Sequence, residues 1–377
     1  MTGEPLLKVV IAGGGVAALE AVLALRDLAG ERVSLTLIAP NAEFSYRPMT
    51  VREPFAYAQA SSYPLADIVA AVGAELIAGE FGWVDTEARI ANLASGGEVA
   101  YDALLLALGA RVKEPFAHVL TIDDRSLDDL FHGVVQDVEQ GYVHSIAFVA
   151  PARMAWPLPL YELALMTAAR AYDMNVRAKL TVVTPEQAPL AIFGEQASDA
   201  MARLLAEAGV ETITSVQAQV PEPGEVLLRP GSQTLHADRI VALPELFGPA
   251  VRGLPAGVHG FIPVDRHGQV RGAQRVWAAG DATDFAVKHG GVAAQQADAA
   301  AESIAALAGA PLTPAPFHPE IRGMLLTGRK PRYLRARISG SQGFDSEMTD
   351  EPTWQPVAKI SARYLAPYLE AAGGRVR

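Results

Sequence analysis

The chain has 377 residues, which is enough for two packed domains and an appendage. Its formal net charge of −11 disfavours nucleic acid as a partner, and the absence of cysteine excludes disulfides, thiolate metal sites, iron–sulfur clusters and a redox dithiol. No run approaches the roughly 18 apolar residues that a membrane-spanning helix needs, and the eight histidines show no metal-ligand spacing. We therefore expect a cytoplasmic protein without a bound metal.

A βαβ unit is predicted at the start of the chain. Leu7–Ala12 is typical of a buried parallel strand, a helix is predicted to end near Leu28, and Val33–Ile38 is predicted to be the second strand. Such a unit is the framework of a dinucleotide-binding domain.

The turn between the first strand and the helix has the pattern Gly13-x-Gly15-x-x-Ala18. The first glycine permits a tight turn, the second lets the backbone approach a pyrophosphate, and the small third residue allows the helix to pack closely on the strand. Flanked by two strands, the pattern predicts a dinucleotide site, and a glycine-rich turn without a ligand is the alternative.

The end of the second strand lacks a common feature of such sites. Ala39 stands where an acidic residue usually binds the adenosine ribose. Asn41 or Glu43 could supply that hydrogen bond from the following loop, or both could only cap a turn.

The middle of the chain predicts further strands and a second βα unit. Residues 80–100 indicate a β-meander with a turn at Gly96–Gly97, and apolar strands are predicted at Tyr101–Ala110 and Ala237–Pro244. The second unit is predicted from the strand Ser145–Ala150, the helix Leu160–Tyr172, the strand Lys179–Thr184 and the helix Ser198–Ala208.

Near the C-terminal end a short apolar strand beginning at Val276 runs into Gly280–Asp281, and a helix rich in Ala and Gln is predicted at Gly290–Leu307. This order places a carboxylate where a buried strand ends, just before a helix N-terminus. A ribityl hydroxyl could bind the carboxylate, while the helix N–H groups face an electron-rich ring.

Together these segments resemble the pyridine nucleotide–disulfide oxidoreductase superfamily of flavoproteins, over about the first 310 residues. The resemblance rests on Gly13–Ala18, Tyr101–Gly109, Asp238–Pro244, Gly260–Asp265 and Trp277–Asp281. It implies an α/β fold with two Rossmann-like dinucleotide-binding domains, each a three-layer parallel sheet with β-meander insertions, and a small C-terminal α+β region. The implied boundaries are 1–112 with 240–312 for an FAD-binding domain, 113–239 for a degenerate NAD-type domain, and 313–377 for a C-terminal interface region.

The resemblance also implies FAD as the cofactor, bound across the first domain. The residues expected to contact it are Gly13, Gly15, Val16, Ala17, Ala18, Asn41, Arg47, Ala107, Gly109, Gly280, Asp281, Lys288, Gly290 and Gly291. Within the superfamily the chain is most similar to the branch of sulfide:quinone oxidoreductases and type II NADH dehydrogenases, through the loop Asn41–Pro48 and the position of Lys288. A cation at Lys288 would stabilise negative charge on reduced flavin, and a solvated surface lysine is the alternative.

The second glycine pattern that NAD(P)H-using relatives carry is missing. After the strand Ser145–Ala150 the chain has Pro151, Pro157 and Pro159 together with Trp156. Prolines remove backbone N–H donors, and bulky side chains keep a pyrophosphate away from a helix N-terminus, so we expect no NAD(P)H at the usual place. Glu162, at the start of the next helix, is a candidate catalytic acid or base, with a dipole-stabilised first-turn acid as the alternative.

The C-terminal region carries ten Lys/Arg and six Asp/Glu between residues 318 and 377. Six of the basic residues fall in Ile321–Arg337, a segment studded with apolar residues and predicted to form a strand pair. It could touch anionic lipid on the cytoplasmic face of a membrane, or it could form a subunit or domain interface, and a homodimer is possible. A final helix is predicted at Lys359–Leu369, bent or ended by Pro367.

The function predicted first is that of an FAD-dependent oxidoreductase, which passes electrons through the flavin to a quinone-like or other small acceptor without a dithiol. A second hypothesis is an NAD(P)H-dependent flavin oxidoreductase with a non-standard nucleotide pose. A third is a catalytically degenerate flavin-binding or scaffold protein, which the missing ribose acid, glycines and cysteines all favour.

Overall fold

A computed structural model describes residues 6–57, 59–124, 127–339 and 342–373. The outermost residues of the predicted domains, 1–5 and 374–377, lie outside this description. The helices are α1 (Val16–Ala29), α2 (Leu65–Ala71), α3 (Leu127–Glu139), α4 (Leu158–Asp173), α5 (Glu195–Glu207), α6 (Gly290–Leu307) and α7 (Leu365–Ala371).

The strands divide among parallel sheets, antiparallel sheets and short ribbons. The first strands are β1 (Leu7–Ala12), β2 (Val33–Ala39), β3 (Glu43–Ser45), β4 (Ser62–Pro64), β5 (Glu75–Ala78), β6 (Phe81–Asp85), β7 (Ile90–Leu93), β8 (Glu98–Ala100), β9 (Ala103–Leu106), β10 (Arg111–Lys113), β11 (Leu120–Thr121) and β12 (Ser145–Val149). The remaining strands are β13 (Lys179–Val183), β14 (Val210–Ile213), β15 (Gln217–Gln219), β16 (Glu225–Arg229), β17 (Thr234–His236), β18 (Arg239–Ala242), β19 (Glu245–Phe247), β20 (Val276–Ala278), β21 (Glu320–Leu325), β22 (Arg332–Ser339) and β23 (Gln342–Thr349).

The first parallel sheet has the strand order β20-β9-β1-β2-β5, with β1 at its centre. Side chains alternate across β1, so Val9 and Ile11 pack on one face while Val10 and Ala12 pack on the other. The first face is covered by the alanine-rich helices α1 and α6, whose small side chains let them pack closely. The meander β6–β7–β8 contributes to the opposite face, as the sequence predicts.

The second parallel sheet has the order β11-β18-β12-β13-β14, and the helices α3, α4 and α5 share one hydrophobic cluster with it. The predicted α/β fold with two Rossmann-like sheets is thereby confirmed. The sheet includes β18, so the boundary predicted at 239–240 falls inside one of its strands. An antiparallel ribbon of β10 and β19 joins the two sheets, with Arg111 opposite Phe247.

The C-terminal region begins with an antiparallel sheet, β21-β22-β23, which confirms the predicted strand pair. The helix predicted at Lys359–Leu369 is wrong in its first half, because α7 begins only at Leu365. Pro367 lies in the first turn of α7. Backbone N–H groups in a first turn have no acceptor within the helix, so the missing N–H of proline removes no helical hydrogen bond. We call residues 357–371 the C-terminal strap.

The strap is fixed to α1 by a buried carboxylate. Glu20, in the middle of α1 and fully buried, accepts hydrogen bonds from the backbone N–H groups of Arg363 (2.6 Å), Tyr364 (2.9 Å) and Leu365 (2.6 Å). Three donors at the start of α7 are thus satisfied by one side chain from a distant part of the sequence. This contact explains why a glutamate is retained on the apolar face of α1.

We predict that Glu20→Ala lowers the free energy of unfolding by about 3 kcal/mol or more, because it leaves three N–H donors, one of them buried and two partly buried, without their acceptor. Chemical unfolding followed by circular dichroism measures the change, with Glu31→Ala at an exposed acid as the matched control. A loss no larger than that of the control would contradict the anchoring role of Glu20.

Candidate functional site

A cleft of about 1690 Å³ opens where the carboxyl ends of the two parallel sheets face each other. This volume exceeds the roughly 300–1,000 Å³ of pockets for drug-sized ligands, so the cleft can hold a dinucleotide. Thirteen of the predicted site residues line it, namely Gly13, Gly15, Val16, Ala17, Asn41, Arg47, Ala107, Gly109, Glu162, Gly280, Asp281, Lys288 and Gly290.

The turn between β1 and α1 needs its glycines for two different reasons. Gly13 has φ +131°, and a Cβ there would lie 2.2 Å from the carbonyl oxygen of Ala107. Gly15 is the N-cap of α1, and a Cβ on it would meet nothing within 4 Å, so its backbone faces the open cleft. No side chain caps α1, which leaves its first N–H groups available to an anion.

Two predicted contact residues lie behind the cleft wall. Ala18 is fully buried and supports the close packing of α1, and Gly291 lies under the ring of His289. Neither lines the cleft. Their small size lets the helices pack closely, and their contact with a cofactor stays a prediction.

The Gly280–Asp281 turn is held against α6 by buried hydrogen bonds. Oε1 of Gln296 accepts from the backbone N–H of Gly280 at 2.8 Å, and Oγ1 of Thr283 donates to the carbonyl of Gly280 at 2.9 Å. Within the described part of the chain, no residue donates a hydrogen bond to the Asp281 carboxylate, which projects into the cleft. Burial raises the pKa of Asp281, and the charge of Lys288 opposes that shift.

Lys288 is buried beside this turn, so the surface-lysine alternative is wrong. Its ammonium group donates to the carbonyl of Thr283 at 2.5 Å and lies 4.1 Å from the ring centre of Phe261. Burial lowers the pKa of Lys288 to about 8, and the carboxylates of Asp281 and Asp284 limit the shift. A cation at this place therefore loses its charge more readily than an exposed lysine.

The N-terminus of α6 also opens on the cleft without a capping side chain. His289 is its N-cap residue, and the buried Nδ1 of that side chain has no hydrogen-bond partner among the described residues. Burial lowers the pKa of His289 to about 4, so the imidazole is neutral at physiological pH. The side chain of Ile360, from the strap, packs against Gly290.

Glu162 lines the cleft as half of a buried ion pair. Both of its carboxylate oxygens accept from the ammonium group of Lys359, at 2.7 and 2.8 Å, and one also accepts from the backbone N–H of Leu326 at 2.9 Å. Burial raises the pKa of Glu162 and lowers that of Lys359, while each charge opposes the shift of the other. The alternative of a merely dipole-stabilised acid does not describe this environment.

Bulky side chains occupy the loop between β12 and α4, where NAD(P)H-using relatives have glycines. The ring of Trp156 lies 4.4 Å from that of His289 and 5.6 Å from that of Phe193. Arg153 forms an ion pair with Glu245 at 2.7 Å on the ribbon between the sheets.

Farther along the same domain, the hydroxyl of Tyr161 donates to Glu186 at 2.6 Å. Glu186 follows β13, where the acidic residue of a second nucleotide site would bind the ribose. Its carboxylate instead accepts the hydrogen bond from Tyr161 of the neighbouring α4. The second domain therefore keeps the parallel-sheet topology, with this acid bonded to a side chain of α4.

Sequence reasoning missed three residues that fix the site from a distance, Lys359, Gln296 and Thr283. Lys359 carried a usable signal, because it is a lone cation within an apolar segment. Its partner Glu162 is 197 positions away, and only the fold brings the two together.

Each of the six basic residues between Arg322 and Arg337 has an acidic group within 4 Å, and two of them share Glu320. The pairs are Arg322–Glu320, Arg329–Asp173, Lys330–Glu351, Arg332–Asp350, Arg335–Glu320 and Arg337–Asp345. The positive stripe in the sequence thus has acidic neighbours throughout, which weakens the case for attraction to anionic lipid. The membrane contact and the homodimer stay predictions.

Among the described residues, no helix is long and apolar enough to cross a membrane, and no group of His, Asp and Glu side chains is placed to hold a metal ion.

Comparison with known proteins relates the chain to oxidoreductases. The family model "Pyridine nucleotide-disulphide oxidoreductase" matches residues 162–301. Among curated proteins, the sulfide-quinone reductase of Aquifex aeolicus is 25% identical over 266 residues, which cover 64% of this chain and 59% of that protein. The match thus spans less than two thirds of the relative's length.

Solved structures share the fold over most of the chain. The sulfide:quinone oxidoreductase of Aquifex aeolicus superposes with a TM-score of 0.80 at 19% identity, covering 91% of this chain and 87% of that one. A ferredoxin reductase from Rhodopseudomonas palustris gives 0.66 at 20% identity, covering 88% and 83%. In sequence and fold the chain is thus similar to the pyridine nucleotide–disulphide oxidoreductases, and in particular to the sulfide-quinone reductases.

Proposed function

We propose that the protein is an FAD-dependent oxidoreductase that passes electrons to a quinone-like or other small acceptor without a redox dithiol. The observation that carries the proposal is the single cleft on which an uncapped α1, an uncapped α6 and the unpaired Asp281 carboxylate converge. The quinone-like acceptor is suggested by the names of the sulfide-quinone relatives. The exclusion of a dithiol follows from the absence of cysteine.

The open space at a helix N-terminus and the polar side chains of the cleft wall fit the parts of FAD. Gly15 leaves open space in front of the α1 N-terminus, where backbone N–H groups would bind the pyrophosphate. The Asp281 carboxylate would accept from a ribityl hydroxyl. Asn41 and Arg47 stand at the cleft wall beyond β2, where they would contact the adenosine half.

FAD, when bound, supplies the ability to accept two electrons from a donor and to release them to an acceptor. Around it the protein supplies charge. The α6 N-terminus and Lys288 place positive potential at one end of the cleft, which favours an anionic ligand group there. Glu162 and Lys359 form a buried acid–base pair that can hold a proton at the Glu162 carboxylate and return it, provided that substrate reaches them.

The donor is proposed to be something other than NAD(P)H. The first turn of α4 carries Pro159, its N-cap is Pro157, and Trp156 fills the preceding loop. A pyrophosphate there would find neither the N–H donors nor the space that a glycine turn gives.

We predict that Asp281→Ala weakens FAD binding about tenfold to hundredfold, the effect of removing one hydrogen bond to a charged group. Flavin absorbance retained after gel filtration and titration of the apoprotein with FAD measure the change. The matched control is Asp284→Ala, at an exposed acid three residues away. Unchanged flavin content in Asp281→Ala would remove this residue from the site, and a wild-type protein that cannot be loaded with FAD would overturn the proposed function.

We also predict that neither NADH nor NADPH bleaches the flavin absorbance of the loaded protein on anaerobic mixing, whereas dithionite does. The physical reason is the closed loop between β12 and α4. Stopped-flow absorbance provides the measurement. Rapid bleaching by either nucleotide would contradict the inference that the proline-rich loop prevents NAD(P)H from binding, and it would favour a non-standard nucleotide pose.

A third prediction concerns the proton at Glu162. In Lys359→Met the carboxylate loses its counter-charge, so its pKa should rise further, and the acid limb of the pH profile should move up by about one pH unit or more. The rate at which the dithionite-reduced protein is reoxidised by a soluble benzoquinone supplies the profile, with Lys330→Met at an exposed ion pair as the control. An acid limb that stays in place would exclude Glu162 from proton transfer.

A further inference from the structure

The start of α6 has little room for side chains, because the C-terminal strap lies against it. The first two residues of the helix are Gly290 and Gly291, although glycine is a poor helix former. A Cβ on Gly290 would lie 2.9 Å from Cδ1 of Ile360, and a Cβ on Gly291 would lie 3.3 Å from the carbonyl oxygen of Ser361. The two glycines therefore admit two successive strap residues to the helix start.

Two adjacent strap residues also bond to other walls of the cleft. The ammonium group of Lys359 binds Glu162 of α4 at 2.7 and 2.8 Å, and the backbone N–H of Ile360 donates to the hydroxyl of Tyr46 at 2.8 Å. Tyr46 is itself buried, in the loop after β2 whose neighbouring residues line the cleft. Helix α4, the loop after β2 and the start of α6 thus meet at the strap.

The contact at Ile360 supports the backbone that would bind an anion. The first N–H groups of α6 have no capping side chain, so their direction depends on how the helix start is packed. Glycine is conformationally permissive, and a start built from two glycines needs a neighbour to fix its geometry. Ile360 is that neighbour, and the hydroxyl of Tyr46 fixes the backbone of Ile360.

We propose that Tyr46 and Ile360 are positioning residues for the start of α6, and that attachment of the strap and binding of FAD at this start reinforce each other. The inference rests on the proposed function, because FAD is the ligand proposed for the cleft. Tyr46 acts through Ile360, and Ile360 acts through Gly290. By thermodynamic linkage, a strap that strengthens FAD binding by some factor is held closed by bound FAD by the same factor.

Hydrogen exchange of the full-length protein, with and without FAD, measures this linkage. We expect FAD to slow the exchange of the strap peptides by about fivefold or more, the lower end of typical coupling between sites. Peptides of the sheet formed by β15, β16 and β17, none of whose residues lines the cleft, provide the internal reference. Strap exchange that FAD slows no more than exchange of this reference would overturn the inference.

A pair of strap variants separates positioning from stability. Ile360→Ala removes the contact with Gly290, whereas Leu369→Ala removes the same number of carbon atoms from α7, where the leucine is buried in the same hydrophobic cluster. We expect FAD to bind about fivefold or more weakly to Ile360→Ala than to Leu369→Ala, measured by fluorescence titration of the apoproteins. Equal affinities in the two variants would make Ile360 a packing residue only and would overturn the inference.

Tyr46→Phe examines the hydroxyl alone. It leaves the N–H of Ile360 unpaired, so strap exchange should rise about fivefold to hundredfold, and FAD should bind more weakly than in the wild type. The matched control is Tyr63→Phe, because the ring of Tyr63 also packs on Phe44 and its hydroxyl has no hydrogen-bond partner among the described residues. Faster strap exchange with unchanged FAD affinity would contradict the positioning role of Tyr46.

Loading with FAD distinguishes failure of this inference from failure of the proposed function. A wild-type protein that takes up no FAD overturns the proposed function and this inference with it. A protein that binds FAD, but whose strap exchange does not respond to it, overturns this inference alone.

Discussion

The arrangement of the cleft depends on two helix N-termini whose first backbone N–H groups have no capping side chain. Helices α1 and α6 both begin at the same cleft, and neither carries a capping side chain or an acid in its first turn. Such donors need an acceptor, and an anionic ligand is the natural one. The tight turn at Gly13 and the Gln296 contact to Gly280 hold the two helix starts in position, and the proposed anion site rests on this arrangement.

Buried charge then connects the cleft to the C-terminal end of the chain. Glu162 is too deeply buried to be stable as a lone anion, so it requires Lys359, and Lys359 is in place only while the strap is attached. The strap is attached in turn through Glu20, another buried acid. A buried charge without its partner would destabilise the core. Glu162 therefore depends on the strap residue Lys359, and the strap depends on Glu20 of α1.

The sequence predicted the sheets well and the strap poorly. Runs such as Leu7–Ala12 and Ser145–Ala150 are apolar throughout, a pattern that strongly indicates buried parallel strands. In the strap, helical spacing of apolar residues predicted a helix from Lys359. Tertiary contacts override this helical preference. Lys359, Ile360 and Arg363 each bond to a different part of the molecule, and these bonds keep the backbone in a non-helical conformation.

The sequence by itself determined the α/β topology, the glycine turn at Gly13, the loss of the second cradle and the exclusion of cysteine chemistry, since all of these follow from residue type at short range. Tertiary structure alone decided which charges meet. Lys288 is buried beside Phe261 instead of being solvated, the basic residues of β21 and β22 lie beside acidic side chains, and Glu162 has its counter-ion 197 positions away. Electrostatic roles depend on burial and on distance in space, and neither can be read from the order of residues.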